Sequence, residues 1–196
     1  MSERVVLDSD RGVFVDISNA QPWMQRSDLS IGDPTNQWPS EIVGGRMVVA
    51  CGRASDGPDP TRWGQSGWDR FESAVGAACE QADRCGVELW IRPSLHGMLS
   101  DAIGTVSWAR RTASTGVRLL VDPIGWLTES MMQDSEDHLR RISELMRGCP
   151  LLGGVLLRAG ELESPAESLR AMRGLIDAAD VLLAFDEAEF GLLDRA

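Results

Sequence analysis

The chain has 196 residues, 43% of them hydrophobic, and a formal charge of −11. That is enough apolar content for one sizeable core, and enough negative charge to repel a nucleic-acid backbone or an anionic membrane surface, so neither is expected as a partner. No stretch approaches the ~20 apolar residues that cross a bilayer, and MSERVVLDSD carries no apolar signal region, so the cytoplasm is the expected location.

In chain order, Arg4 to Ile17 holds two apolar runs, VVL and VFVDI, around DSDRG, which suits a hairpin. Ser18 to Ser40 turns to Asn, Gln, Pro, Asp and Trp without periodicity, and reads as a long covering loop anchored by Trp23 and Trp38. Residues 1–43 are thus expected to form an irregular amino-terminal segment of a single domain spanning 1–196, with βα repeats over 44–196. RMVVAC (Arg46 to Cys51) reads as a buried strand, and the Gly- and Pro-dense stretch after it as a large loop.

The spacing of Trp68, Phe71, Val75, Ala78, Cys79 and Ala82 predicts a helix from about Trp68 to Cys85, capped by Ser66 and stopped by Gly86. Val87 to Asp122 then reads as strand, helix, strand: VELWIRP, a helix from near Asp101 that buries Ile103, Val106 and Ala113 and ends at Gly116, and VRLLVDP. A third helix after Asp134 and Ser135 presents Leu139, Ile142, Leu145 and Met146. A fourth opens on SPAE at Ser164, a capping-box pattern with proline at the first helical position. Between them lie the apolar runs Gly154 to Arg158 and Val181 to Asp186, each closed by a charge as strands of a buried parallel sheet are. The strand spacing matches one βα unit of roughly 31 residues, which leaves room for about six units where a TIM barrel has eight. The fold class expected is therefore α/β, TIM-barrel-like, and shortened or irregular at the amino-terminal end. The gap in such a barrel is expected to be closed by the Arg4 to Ile17 segment or by a homodimer, since an open edge leaves backbone groups unpaired.

Four cysteines, Cys51, Cys79, Cys85 and Cys149, lack CxxC or zinc-ligand spacing, and reduced, mostly buried thiols are expected. Gly153 and Gly154 precede a strand and so do not form a phosphate loop. Two histidines are too few for a histidine-rich metal site. His96, in the loop after the Arg92 strand, is a candidate base set against the plainer reading of a solvated loop histidine. Trp63 and Trp126, in loops after strands, are candidate stacking platforms set against ordinary packing. Alternation places Glu88, Trp90 and Arg92 on one face of their strand and Arg118, Leu120 and Asp122 on one face of the next. If that face is the barrel interior, Trp90 plugs the core, and the expected charge pairs are Glu88 with Arg118, Arg92 with Asp122, and Arg158 with Asp186.

The stretches GGRMVVACG, WDRFESAVGAACEQADRCGVELWIRP and VRLLVDPIGWL resemble the xylose isomerase-like TIM barrels, a family of sugar-phosphate isomerases, epimerases and the endonuclease IV group. The resemblance covers about Gly44 to Phe190. It implies a divalent metal held by carboxylates and histidines at strand ends, polarising a sugar hydroxyl and carbonyl. The chain departs from that pattern at the ligands: Arg92 stands for the glutamate of "IEP", Gly125 or Trp126 for the histidine of "DPGH", and Val155, Leu156, Leu157 and Arg158 for "HxH.K". Asp122 and Asp186 alone remain as carboxylates in the expected places. Two readings follow. One is a barrel with a degenerate metal site and no cofactor, in which Arg92 and Arg158, with Trp63 and Trp126, bind a small sugar or anionic ligand such as a sugar phosphate. The other is an active metal-dependent isomerase or epimerase with Asp122, Asp186 and His96 as ligands or bases.

Overall fold

The computed structural model describes residues 3–8, 13–16, 21–33, 37–38, 42, 45–52, 64–112, 116–184 and 188–194. Eight strands close into a barrel in sequence order: β1 (Glu3–Asp8), β2 (Val13–Asp16), β3 (Pro22–Ser30), β4 (Arg46–Ala50), β5 (Glu88–Arg92), β6 (Arg118–Val121), β7 (Leu152–Leu157) and β8 (Val181–Ala184). The helices are α1 (Gln65–Cys85), α2 (Ala102–Thr112), α3 (Ser135–Met146), α4 (Pro165–Ala171), α5 (Arg173–Ala178) and α6 (Ala188–Leu193). From β3 to β8 all neighbours pair in parallel, as in a TIM barrel. The departure is at the amino end. There β2 runs antiparallel to both β1 and β3, and β1 closes the barrel in parallel on β8, with Glu3 opposite Val181 and Val6 opposite Ala184.

The predicted hairpin thus forms and completes the sheet. The segment Ser18 to Ser40 is not the expected covering loop, because β3 occupies nine of its residues. Its polar sequence, PWMQRSDLS, hides the strand: pairing with β2 and β4 supplies the backbone bonds that periodicity does not announce. Among the described residues five strand–helix units follow one another, from β4 to α6, where about six are expected.

Alternation divides the core into two shells. Val5, Phe14, Met24, Val48, Trp90, Leu120, Leu156 and Leu183 fill the barrel interior, while Met47, Val49, Leu89, Ile91, Leu119, Val121, Val155 and Leu157 face the helices. Trp90 is 2% exposed and is the interior plug that its alternation implies. Its space comes from β7: a Cβ on Gly153 would sit 2.6 Å from the Trp90 indole, and one on Gly154 would sit 2.8 Å from Val181. The two glycines are therefore packing residues.

The helices follow their apolar spacing, with local adjustments. α1 buries Phe71, Val75 and Ala82 and ends at Gly86, whose φ of 66° is the left-handed stop that glycine adopts without strain. Its N-cap, however, is Gly64 and not Ser66, and no side chain caps it. α2 is capped by Asp101, whose Oδ1 accepts from Gly104 N–H at 2.8 Å. It buries Ala102, Thr105, Val106 and Ala109 and leaves Ile103 66% exposed, because the small residues let the helix approach the sheet on a face about 100° round from Ile103. Ala113 lies outside the described residues. Leu145 of α3 is also largely exposed. At Ser164, proline takes the first helical position but the capping-box bond is absent, and the helix divides at Met172 into α4 and α5.

Candidate functional site

The carboxyl ends of β4 to β7 bring Ala50, Arg92, Asp122 and Arg158 to one mouth. Ala50 stands opposite Arg92 in register, and each of the four lies two residues beyond an interior side chain: Val48, Trp90, Leu120 and Leu156 respectively. This edge is where barrel enzymes assemble their sites.

Asp122 is the buried charge at its centre, with its side chain 6% exposed. Oδ1 accepts from the backbone N–H of Gly125 at 2.9 Å, and Oδ2 accepts from Arg158 Nη1, also at 2.9 Å. Gly125 has to lack a side chain, since a Cβ there would lie 2.7 Å from Oδ2 of Asp122. Gly125 therefore shapes the seat of the carboxylate. Arg158 is held from its other edge as well: Nε donates to Glu161 Oε1 at 2.8 Å and Nη2 to Oε2 at 2.5 Å. These contacts raise the guanidinium pKa above its ordinary value, first through Glu161, against the opposing effect of burial, and then through Asp122. One guanidinium so stands between two carboxylates.

The expected Arg92–Asp122 pair does not form. The register sets Trp90 opposite Arg118, which offsets Asp122 from Arg92 and leaves it within reach of β7, where Arg158 takes it. Among the described residues Arg92 makes no ion pair, and it is half-buried. The other expected pair, Arg158 with Asp186, falls on a residue outside the described ones, as does Trp63. Glu88 with Arg118 does form, at 3.7 Å, at the opposite end of the barrel, where Arg46 and Asp180 extend it.

Trp126 is not a stacking platform. It is 3% exposed, packed in the outer shell, and its Nε1 donates to Leu99 O at 3.1 Å. His96 is exposed in the loop after β5, and no hydrogen bond among the described residues joins it to Asp122 or Arg158. That loop is packed on the buried Cys51 thiol: a Cβ on Gly97 would lie 2.0 Å from Cys51 Sγ, and Ser94 Oγ lies 3.6 Å from it. Sequence reasoning missed Glu161 and the role of Gly125. Arg-x-x-Glu directly after a strand and Asp-x-x-Gly at another are the signals that point to them.

Both oxygens of Asp122 are engaged by N–H donors, and the described residues contain no group of three or more His, Cys, Asp or Glu placed to hold an ion. A cavity of about 660 Å³ lies elsewhere, beside the β1–β8 seam, lined by Arg4, Arg173, Asp177, Asp180, Leu182 and Asp194. It includes no residue of the mouth.

No family model matches the chain, and no curated protein matches it. Among solved structures, D-psicose 3-epimerase with D-tagatose, from Clostridium cellulolyticum H10, is similar with a TM-score of 0.44 and 16% identity. The match covers 71% of this chain and 49% of the epimerase, so the chain spans about half of that protein's length. The barrel described above rests on its own strand order and register. No helix among the described residues is long and apolar enough to cross a membrane.

Proposed function

We propose that this protein is a divergent barrel of the sugar isomerase and epimerase kind, whose carboxyl mouth binds a small anionic ligand of the sugar-phosphate class without a metal. The observation that carries this reading is Arg92, a half-buried cation at the mouth that makes no ion pair among the described residues. Charged groups are rarely withdrawn from water unless paired, so the guanidinium is disposed to accept an anion from solution. Asp122 is neutralised by Arg158 and does not compete for it. The sugar part of the reading is supported by the resemblance of GGRMVVACG, GVELWIRP and VRLLVDPIGWL to the xylose isomerase-like motifs.

Calorimetric titration with inorganic phosphate, a hexose phosphate and the corresponding free hexose tests the reading. Binding of both phosphates, tighter for the sugar phosphate and lost in Arg92→Ala, is expected. Binding of none of the three to the wild type would refute it. So would a stoichiometric divalent metal in protein purified without chelator, if its removal lowers the melting temperature, and that result would favour the metal-dependent isomerase with Asp122 and Asp186.

A further inference from the structure

We infer that the carboxylate of Glu161 is a built-in competitor for the ligand. It occupies the Nε and Nη2 edge of Arg158 that an incoming phosphate takes, and the anion binds by exchange with it. This rests on the reading of the mouth as an anion site, and it assigns Arg158 a part in that site that its two ion pairs conceal.

The two carboxylates on Arg158 differ in kind. Asp122 is 6% exposed and held by the Gly125 N–H, so it fixes the guanidinium through Nη1. Glu161 is 50% exposed and is carried by a three-residue 3-10 turn, Ala159–Glu161. It meets the guanidinium with both oxygens, one on Nε and one on Nη2. Two parallel N–H donors facing two oxygens is also the geometry by which arginine holds a phosphate. An exposed pair three residues apart is weakly held, whereas Asp122 has nowhere to go. The turn therefore covers a fixed, preoriented anion seat with a replaceable carboxylate.

Exchange raises the threshold for every anion alike. A monocarboxylate offers Arg158 no more than Glu161 already does, while a phosphate group carries about −1.5 to −2 at neutral pH and three acceptor oxygens. Set against the same competitor, a weakly held monocarboxylate falls out of the useful range while a phosphate ester, with more charge and more acceptors, still binds.

The test is titration of wild type, E161Q, R158K and the double variant with inorganic phosphate and with acetate at fixed ionic strength. In E161Q phosphate is expected to bind roughly fivefold more tightly, as removal of one exposed ion pair allows, with acetate gaining by a similar factor. In the R158K background, where an ammonium offers no paired donors, Glu161→Gln is expected to give no gain. A second readout needs no Arg158 variant: the nitrogen-15 signal of Arg158 Nε in the wild type should move, on phosphate addition, to the position it has in phosphate-saturated E161Q. An equal gain in both backgrounds would overturn the inference, since it would report only a charge removed at a distance. An unchanged affinity in E161Q, with phosphate binding still dependent on Arg92, would overturn it and leave the anion reading standing. No phosphate binding in any of the four proteins would overturn both.

Discussion

Arg158 Nη1 lies 2.9 Å from Oδ2 of Asp122, joining the ends of β7 and β6 across the barrel mouth. Removing the guanidinium leaves a carboxylate that is 6% exposed without a counter-charge. Because Arg158 itself remains 28% exposed, Arg158→Ala should cost about 3 kcal/mol, the low end of what breaking a buried pair costs. Asp122→Asn, which keeps an acceptor for Gly125, should cost less. Arg92→Ala, which breaks no ion pair, should cost least. Urea denaturation of the three variants gives the order, and a larger loss in Arg92→Ala than in Arg158→Ala would restore the Arg92–Asp122 pairing expected from alternation alone.

The barrel interior makes a second prediction. A methyl group on Gly153 would stand 2.6 Å from the Trp90 indole, so Gly153→Ala should destabilise by roughly 1–3 kcal/mol, as overpacking of a filled core does. Trp90→Leu empties space beside the same glycine. The two changes together should cost less than the sum of their separate costs, and simple additivity in a double-mutant cycle would show that the two sites do not share one cavity.

The seam between β1 and α6 should be sensitive to acid. Arg4 holds Asp194 through two hydrogen bonds of 2.6 and 3.0 Å, and lies over the Phe190 ring. The hydrogen bond from Arg4 holds the Asp194 carboxyl below its ordinary value. A carboxyl depressed in the folded state stabilises at pH above its unfolded value, ~3.9, and that contribution is lost as pH falls toward the folded one. Amide exchange in Phe190 to Leu193 should therefore accelerate relative to the rest of the chain below about pH 4. In Asp194→Asn it should already be faster at neutral pH and show no such acid step.

The thiols should separate by exposure. Cys85 is exposed, Cys79 half-buried, and Cys51 and Cys149 buried, so the expectation of mostly buried thiols holds for two of the four. Burial pushes the Cys79 and Cys149 thiols up, which lowers their thiolate fraction. Labelling with a thiol reagent at pH 8 should modify Cys85 first, then Cys79, with Cys51 and Cys149 reacting only on unfolding. Early labelling of Cys51 would mean that the Gly97 loop opens in the native state.

Deleting residues 1–17 removes β1 and β2, and with them the connection between β3 and β8. The remaining sheet would carry two open edges, and the truncated chain should fail to fold or should associate. A folded monomer in light scattering would show that closure is dispensable.

The local content of the chain was legible in sequence because it depends on neighbours three and four residues away. The stop at Gly86, the strands Arg46–Ala50, Glu88–Arg92, Arg118–Val121 and Val181–Ala184, and the interior placement of Trp90 all follow from apolar spacing and turn chemistry. What depended on register was not legible. Alternation put Arg92 and Asp122 on the same side of the sheet, but the offset between β5 and β6 decided that the partner of Asp122 would be Arg158 on β7. Alternation states a face, and only pairing states a height. β3 was hidden for the same reason, because its polar run is made a strand by its neighbours on either side. The seat of Asp122 on the Gly125 N–H and the hold of Glu161 on the Arg158 guanidinium are contacts between residues three apart. Their spacing was present in the sequence, but the ends of β6 and β7 had to be brought side by side before one guanidinium joined them.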